Sequence, residues 1–194
     1  MVSEQFTSEY ECECECNALI AAAQNQMQDL CVLYPTSGEF VFHAERTSRG
    51  THFEHQSNVV ASAIENRINQ SIIHSAFAWY SKKLCKFCFM QSVVNISRIM
   101  IILCQLKMGS QSAIKAAGQR LATLIMYLNA PEIGGAASMP TMGLMVSAKK
   151  GNAIYFENID PQGKPNPQTL HAGMPVQAGE KWIATKWLRE RPFF

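Results

Sequence analysis

Beyond residue 109 the apolar runs are short, and Gly or Pro punctuates them at nearly even spacing. Leu121–Asn129 is a strongly apolar strand, closed by the loop Ala130-Pro131-Glu132-Ile133-Gly134-Gly135. Further strands are expected at Leu144–Ala148, Ala153–Glu157, Thr169–Met174 and Lys181–Leu188. Runs of this length cannot sustain a helical bundle, and several of them in series predict a β-sandwich or barrel over 109–194.

Residues 1–70 are mixed. Good helix formers predict one helix over Cys16–Leu30. Val59, Val60, Ala63, Ile64 and Ile68 recur at helical spacing and predict a second over Ser57–Asn69. Between them Tyr34-Pro35-Thr36-Ser37-Gly38 is a turn signal, and Glu39–His43 reads as a short strand. Residues 71–108 fit neither texture and form an aberrant segment with no sustained period.

Of the 194 residues, 47% are hydrophobic and 16% charged, which excludes a disordered chain. The net charge of +2 gives no drive toward nucleic acid or an anionic membrane. The longest apolar stretch, Ile99–Leu106, is far short of the ~20 residues a membrane span needs, so no membrane partner is expected. Met1–Tyr10 is polar and acidic and does not read as a secretory leader. The seven cysteines are odd in number, and Cys12, Cys14 and Cys16 crowd together. This reads as free thiols in a reducing cytoplasm rather than a disulfide framework.

Thr169-Leu170-His171-Ala172-Gly173-Met174-Pro175-Val176 is followed by Gly179-Glu180-Lys181-Trp182 and Thr185-Lys186-Trp187. Upstream stand Leu124-Ile125-Met126-Tyr127-Leu128-Asn129 and Gly134-Gly135. In order and spacing, residues 118–192 resemble the prolyl 4-hydroxylase-like branch of the iron(II)/2-oxoglutarate dioxygenases. Glu15–Ile20 is similar to that family's opening helix, and His43-Ala44-Glu45-Arg46-Thr47-Ser48 to its arginine-threonine-serine segment.

The resemblance implies a double-stranded β-helix (jelly roll), mainly β, with N-terminal helices packed outside and a distortion in 71–108. It implies Fe(II), 2-oxoglutarate and supporting ascorbate as cofactors, and hydroxylation of a C–H bond on a prolyl residue of a peptide or protein substrate. His171 is then a metal ligand, Lys181 the cation for the far carboxylate of 2-oxoglutarate, and Tyr127 a hydroxyl beside it. Such a site holds iron on one face with two histidines and a carboxylate, leaving positions open. A turn near Gln177–Gly179 is expected to fold Lys181 back beside the His171 strand, offset by about 10 Å. Trp182 and Trp187 are expected in the core.

The family's other two ligands come as histidine-x-aspartate, and this chain has no such pair at the right place. His52-Phe53-Glu54 has the pattern but follows the arginine-threonine-serine segment, where a solvated loop is expected. The codons implied by residues 85–109, shifted by one base, offer an explanation. Methionine's single codon forces Met90-Gln91 to alanine, Met100-Ile101 to aspartate and Met108-Gly109 to glycine. The neighbours permit tyrosine-x-proline-histidine-histidine-aspartate-tyrosine. Part of 71–108 thus reads as an out-of-frame translation of the first metal strand, with Ile99 and Ile101 at the ligand positions. Isoleucine has no lone pair to donate, and one histidine alone holds iron weakly. Impaired activity follows, and the alternative is a non-catalytic jelly-roll remnant or binding module.

The family's glutamate-threonine-x-phenylalanine-proline is replaced here by Ala136-Ala137-Ser138-Met139-Pro140, which predicts a looser loop. Cys85-x-x-Cys88 lacks a second pair at zinc spacing. Glu11–Cys16 reads as a solvated acidic lead-in, and no phosphate loop or nucleophile elbow appears.

Overall fold

The computed structural model describes residues 13–29, 32–33, 40–41, 48–53, 57–74, 91–96, 118–160 and 162–190. Helix α1 (Glu13–Gln24) buries Cys16, Leu19 and Ala23, one stripe at helical spacing. It begins earlier and ends earlier than expected. Gln26 N–H donates to the Ala23 carbonyl in a tight turn, and β1 (Gln28–Asp29) follows at once. Residues 13–16 of the acidic lead-in are helical, and residues 11 and 12 lie outside the described residues. Glu15 pairs with Arg67, whose Nη2 lies 2.7 Å from its carboxylate. Cys14 is disulfide-bonded, whereas Cys16 is buried and outside any disulfide.

Strands β2 (Val32–Leu33) and β3 (Phe40–Val41) pair antiparallel, so the expected strand over 39–43 is found in part. Strand β4 (Arg49–Phe53) leads to α2 (Val59–His74). Asn58 caps that helix, its Oδ1 accepting from Ala61 N–H at 3.0 Å. Ala61, Ile64 and Ile68 are buried, and the helix runs past Asn69 to His74.

Strand β5 (Gln91–Ile96) corrects the reading of 71–108 as aberrant throughout. It lies inside a sheet, paired with β4 on one side and β13 on the other. The other strands are β6 (Arg120–Tyr127), β7 (Ile133–Gly134), β8 (Ala137–Met139), β9 (Leu144–Val146), β10 (Ala153–Glu157), β11 (Ala172–Gly173), β12 (Val176–Ala178) and β13 (Lys181–Arg189). The large antiparallel sheet runs β1-β4-β5-β13-β6-β10. A small sheet runs β11-β8-β9, and β12 pairs with β7. From β6 onward the chain passes repeatedly between the two sheets, the winding of a jelly roll.

Alternation along β6 and β13 separates two apolar layers. Leu124, Met126, Leu128, Trp182 and Ala184 face α1 and α2 and form one core with them. Tyr127, Ile154 and Phe156, with Ile125 and Ile183, face the small sheet and pack on Ala137, Met139, Leu144 and Val146. The departure at 136–140 thus does not loosen the chain. Ala137–Met139 is strand β8, and Met139 is fully buried in the inner layer. Its pliable thioether side chain packs in that core. Trp182 belongs to the outer core as expected, while Trp187 is only half-buried.

Candidate active site

Strand β13 presents its odd-numbered residues to the interior and its even-numbered residues to the helices. The register Ile183↔Tyr127 sets β13 beside β6, so Lys181 and Tyr127 share one face of one sheet. Lys181 is only 4% exposed. Its Nζ donates to the Gly135 carbonyl at 2.6 Å and lies 5.4 Å from the Tyr127 ring centroid. No described carboxylate forms an ion pair with it. Burial lowers its pKa from 10.5 to about 8. Above the ring, the Tyr127 hydroxyl is buried with no hydrogen-bond partner among the described residues, and burial raises its pKa.

A buried ammonium with spare donors and a buried hydroxyl without a described partner are costly unless an acceptor serves them. They are well matched to a carboxylate, which accepts from both and restores the missing charge. Lys181 and Tyr127 therefore fit the far end of 2-oxoglutarate.

His171 lies just before β11 in the small sheet. The 3-10 turn Pro167–Thr169, capped by the Asn166 side chain, delivers it. Its ring packs on Phe156 of β10, centroids 4.6 Å apart, and so faces the interior. Nδ1 lies 2.9 Å from the Thr169 carbonyl and donates to it. That bond fixes the neutral tautomer and leaves the Nε2 lone pair available, the arrangement usual for a metal-binding imidazole. Burial lowers its pKa, opposed by the Thr169 hydrogen bond and reinforced more weakly by the Arg120 charge.

Lys181 does not return beside the His171 strand, which corrects that expectation. Pro175 directs β12 onto β7 instead, and β13 enters the other sheet. The two side chains therefore reach one interior from different layers. Gly134, at φ +85°, closes this crossing: a Cβ there would stand 2.3 Å from the Pro175 carbonyl oxygen.

Arg120 and Phe156 went unrecognised in the sequence, because neither stands in a recognisable word. Arg120 stacks over Trp187 at 3.9 Å, and its charge acts on His171. They form a cationic, aromatic border beside the histidine.

Among the described residues no three His, Cys, Asp or Glu side chains come together. His171 is thus the single described candidate ligand, which does not by itself fit a held iron. Ile99 and Ile101, the positions assigned to the missing ligands, lie outside the described residues. His52 sits exposed on β4 rather than in a loop, and Glu54 lies outside the described residues.

The fold has a counterpart in sequence. Residues 109–189 match the 2OG-Fe(II) oxygenase superfamily, and the jelly roll is similar to that of a solved prolyl hydroxylase. The relatives it is similar to in sequence are prolyl 4-hydroxylases. It is 28% identical to probable prolyl 4-hydroxylase 4 of Arabidopsis thaliana, over 99% of this chain and 67% of that protein. A shorter stretch, 38% of this chain and 14% of the relative, is 42% identical to prolyl 4-hydroxylase subunit alpha-1 of Gallus gallus. The viral collagen prolyl hydroxylase of Paramecium Bursaria Chlorella virus-1, solved as a 2OG complex, superposes with TM-score 0.66 at 29% identity. That match covers 93% of this chain and 92% of the viral one. A Pseudomonas putida prolyl-4-hydroxylase shares the fold at TM-score 0.62 and 14% identity.

Proposed function

We propose that this chain has the architecture of a peptidyl-proline hydroxylase using 2-oxoglutarate, Fe(II) and ascorbate, and that its iron binding is impaired. The observation carrying the first part is the buried Lys181 ammonium beside the unpartnered Tyr127 hydroxyl. The relatives' names supply the prolyl substrate.

Lys181 binds and orients the far carboxylate, and Tyr127 donates the second hydrogen bond. Ile125, Ile154 and Ile183 pack in the same apolar layer as Tyr127. His171 offers Nε2 to the metal, held in its tautomer by Thr169. Iron with 2-oxoglutarate supplies oxygen activation when bound. Arg120, stacked on Trp187, adds a positive charge near His171.

Impairment rests on the ligand set. The sequence offers isoleucine at 99 and 101, where the family has its histidine and aspartate. Sequencing the gene across residues 85–109 tests the frame explanation: bases that do not spell histidine-x-aspartate in the shifted frame refute it. For the intact chain, calorimetry with 2-oxoglutarate should show binding that Lys181→Met abolishes, and equal binding by that variant refutes the pocket. The rival reading is a non-catalytic binding module, which the incomplete ligand set favours. It predicts 2-oxoglutarate binding without succinate release.

No described helix is long and apolar enough to cross a membrane. The cysteine count supports a reducing, cytoplasmic setting. A thiol count without reductant, on protein from its native compartment, tests this.

A further inference from the structure

The β6–β13 ladder ends its paired register at Tyr127↔Ile183, with one further bond from Leu128 N–H to the Trp182 carbonyl. Beyond it the β6 chain turns away through Ala130 and Pro131, and Pro131 has no N–H to offer. Lys181 lies past this last rung, yet its side chain must enter the interior at one height and direction.

The side chain of Asn129 replaces the missing rungs. Its Nδ2 donates to the Glu180 carbonyl at 3.0 Å, and its Oδ1 accepts from Trp182 N–H at 2.7 Å. One amide therefore grips the backbone immediately before and immediately after Lys181. Glu180 is fixed again from the other direction, its Oε2 accepting from Trp182 Nε1 at 2.9 Å. On the far side of β13 the main chain of Ile96 pairs with Lys181. The ammonium end is held at Gly135.

We infer that Asn129 is a positioning residue, setting where the Lys181 ammonium is presented to the co-substrate carboxylate. No bond reaches from Asn129 to the ammonium itself, so it acts through the peptide units of residues 180 and 182. The inference deepens the 2-oxoglutarate reading and rests on it for its functional meaning.

The test is competitive acetylation of the full chain with acetic anhydride, followed lysine by lysine by mass spectrometry. Lys186 is the internal control. It lies on the same strand, faces the opposite layer and is equally buried, paired with Glu65 at 3.1 Å. In Asn129→Ala, loss of two hydrogen bonds of about 1 kcal/mol each should raise Lys181 labelling roughly tenfold or more, with Lys186 unchanged. Asn129→Asp keeps the acceptor for Trp182 N–H and loses the donor to Glu180, so its Lys181 rate should fall between wild type and Asn129→Ala. An unchanged Lys181 rate in Asn129→Ala overturns the inference. So does a joint rise of Lys181 and Lys186, which marks general loosening of the strand.

Addition of 2-oxoglutarate to wild type separates the two claims. Protection of Lys181 supports the co-substrate reading. Labelling that 2-oxoglutarate does not slow overturns that reading, while the Asn129→Ala comparison still decides whether the amide positions the lysine.

Discussion

Lys181 carries a charge where burial disfavours one, and two predictions follow from that conflict. Its pKa is lowered from 10.5 to about 8. Between those values the unfolded chain holds a proton that the folded chain has lost, so folding stability gains from this residue as pH rises from about 8 to 10.5. Carboxylate binding runs oppositely, because it needs the ammonium. The affinity for 2-oxoglutarate should fall as pH rises above about 8, measured by calorimetry in wild type. A flat profile to pH 10 contradicts the assignment. Tyr127→Phe removes a buried hydroxyl that has no described partner, so denaturant unfolding should show no loss of stability, and at most a gain of about 1 kcal/mol. The same variant should bind 2-oxoglutarate more weakly.

His171, Lys181 and Tyr127 could be singled out in the sequence because each sits in a short fixed run of neighbours. Arg120 and Phe156 were not, because nothing local distinguishes an arginine that meets an aromatic ring from one facing solvent. Their meaning comes from strands far apart in the chain.

At the scale of elements, β13 serves two layers. Lys181 points inward, while Lys186 points to α2 and forms an ion pair with Glu65, both side chains nearly excluded from water. Lys186→Met alone should cost about 3–5 kcal/mol, since it strands a buried carboxylate. Combining it with Glu65→Leu should recover most of that loss, as read by denaturant unfolding. Gly134→Ala should destabilise by ~2 kcal/mol or more, because a Cβ at φ +85° meets the Pro175 carbonyl. A thermal melt unchanged by this substitution contradicts the crossing described at β7.

The strands with alternating or continuous apolar runs were legible, and β10 falls on its expected residues, Ala153–Glu157. The two-residue strands β7 and β12 were not, since so short a run has no period to detect. They overturned the simple hairpin between His171 and Lys181. Strand β5 was missed for a different reason. Its Val93-Val94 core lies in a stretch whose wider composition obscured it.

For the molecule as a whole, the punctuation of 109–194 predicted a sandwich or barrel, the family resemblance narrowed it to a jelly roll, and α1 and α2 pack on one sheet face. An iron site did not follow, because the sequence has no histidine-x-aspartate pair at the expected place and the described residues bring no three metal-ligating side chains together. Equilibrium dialysis should find weak Fe(II) binding, and assays with 2-oxoglutarate and prolyl peptides should yield little succinate. Tight iron binding with coupled succinate release would refute the impairment.

The sheet that backs the pocket is also the floor on which the two helices rest. A fragment trimmed to 109–189 would keep the family's matched stretch yet lose both helices, β4 and β5. Leu124, Met126, Leu128 and Trp182 would then meet water as one greasy slab, with the Lys186 cation stranded among them. Such an excised piece should collect in inclusion bodies.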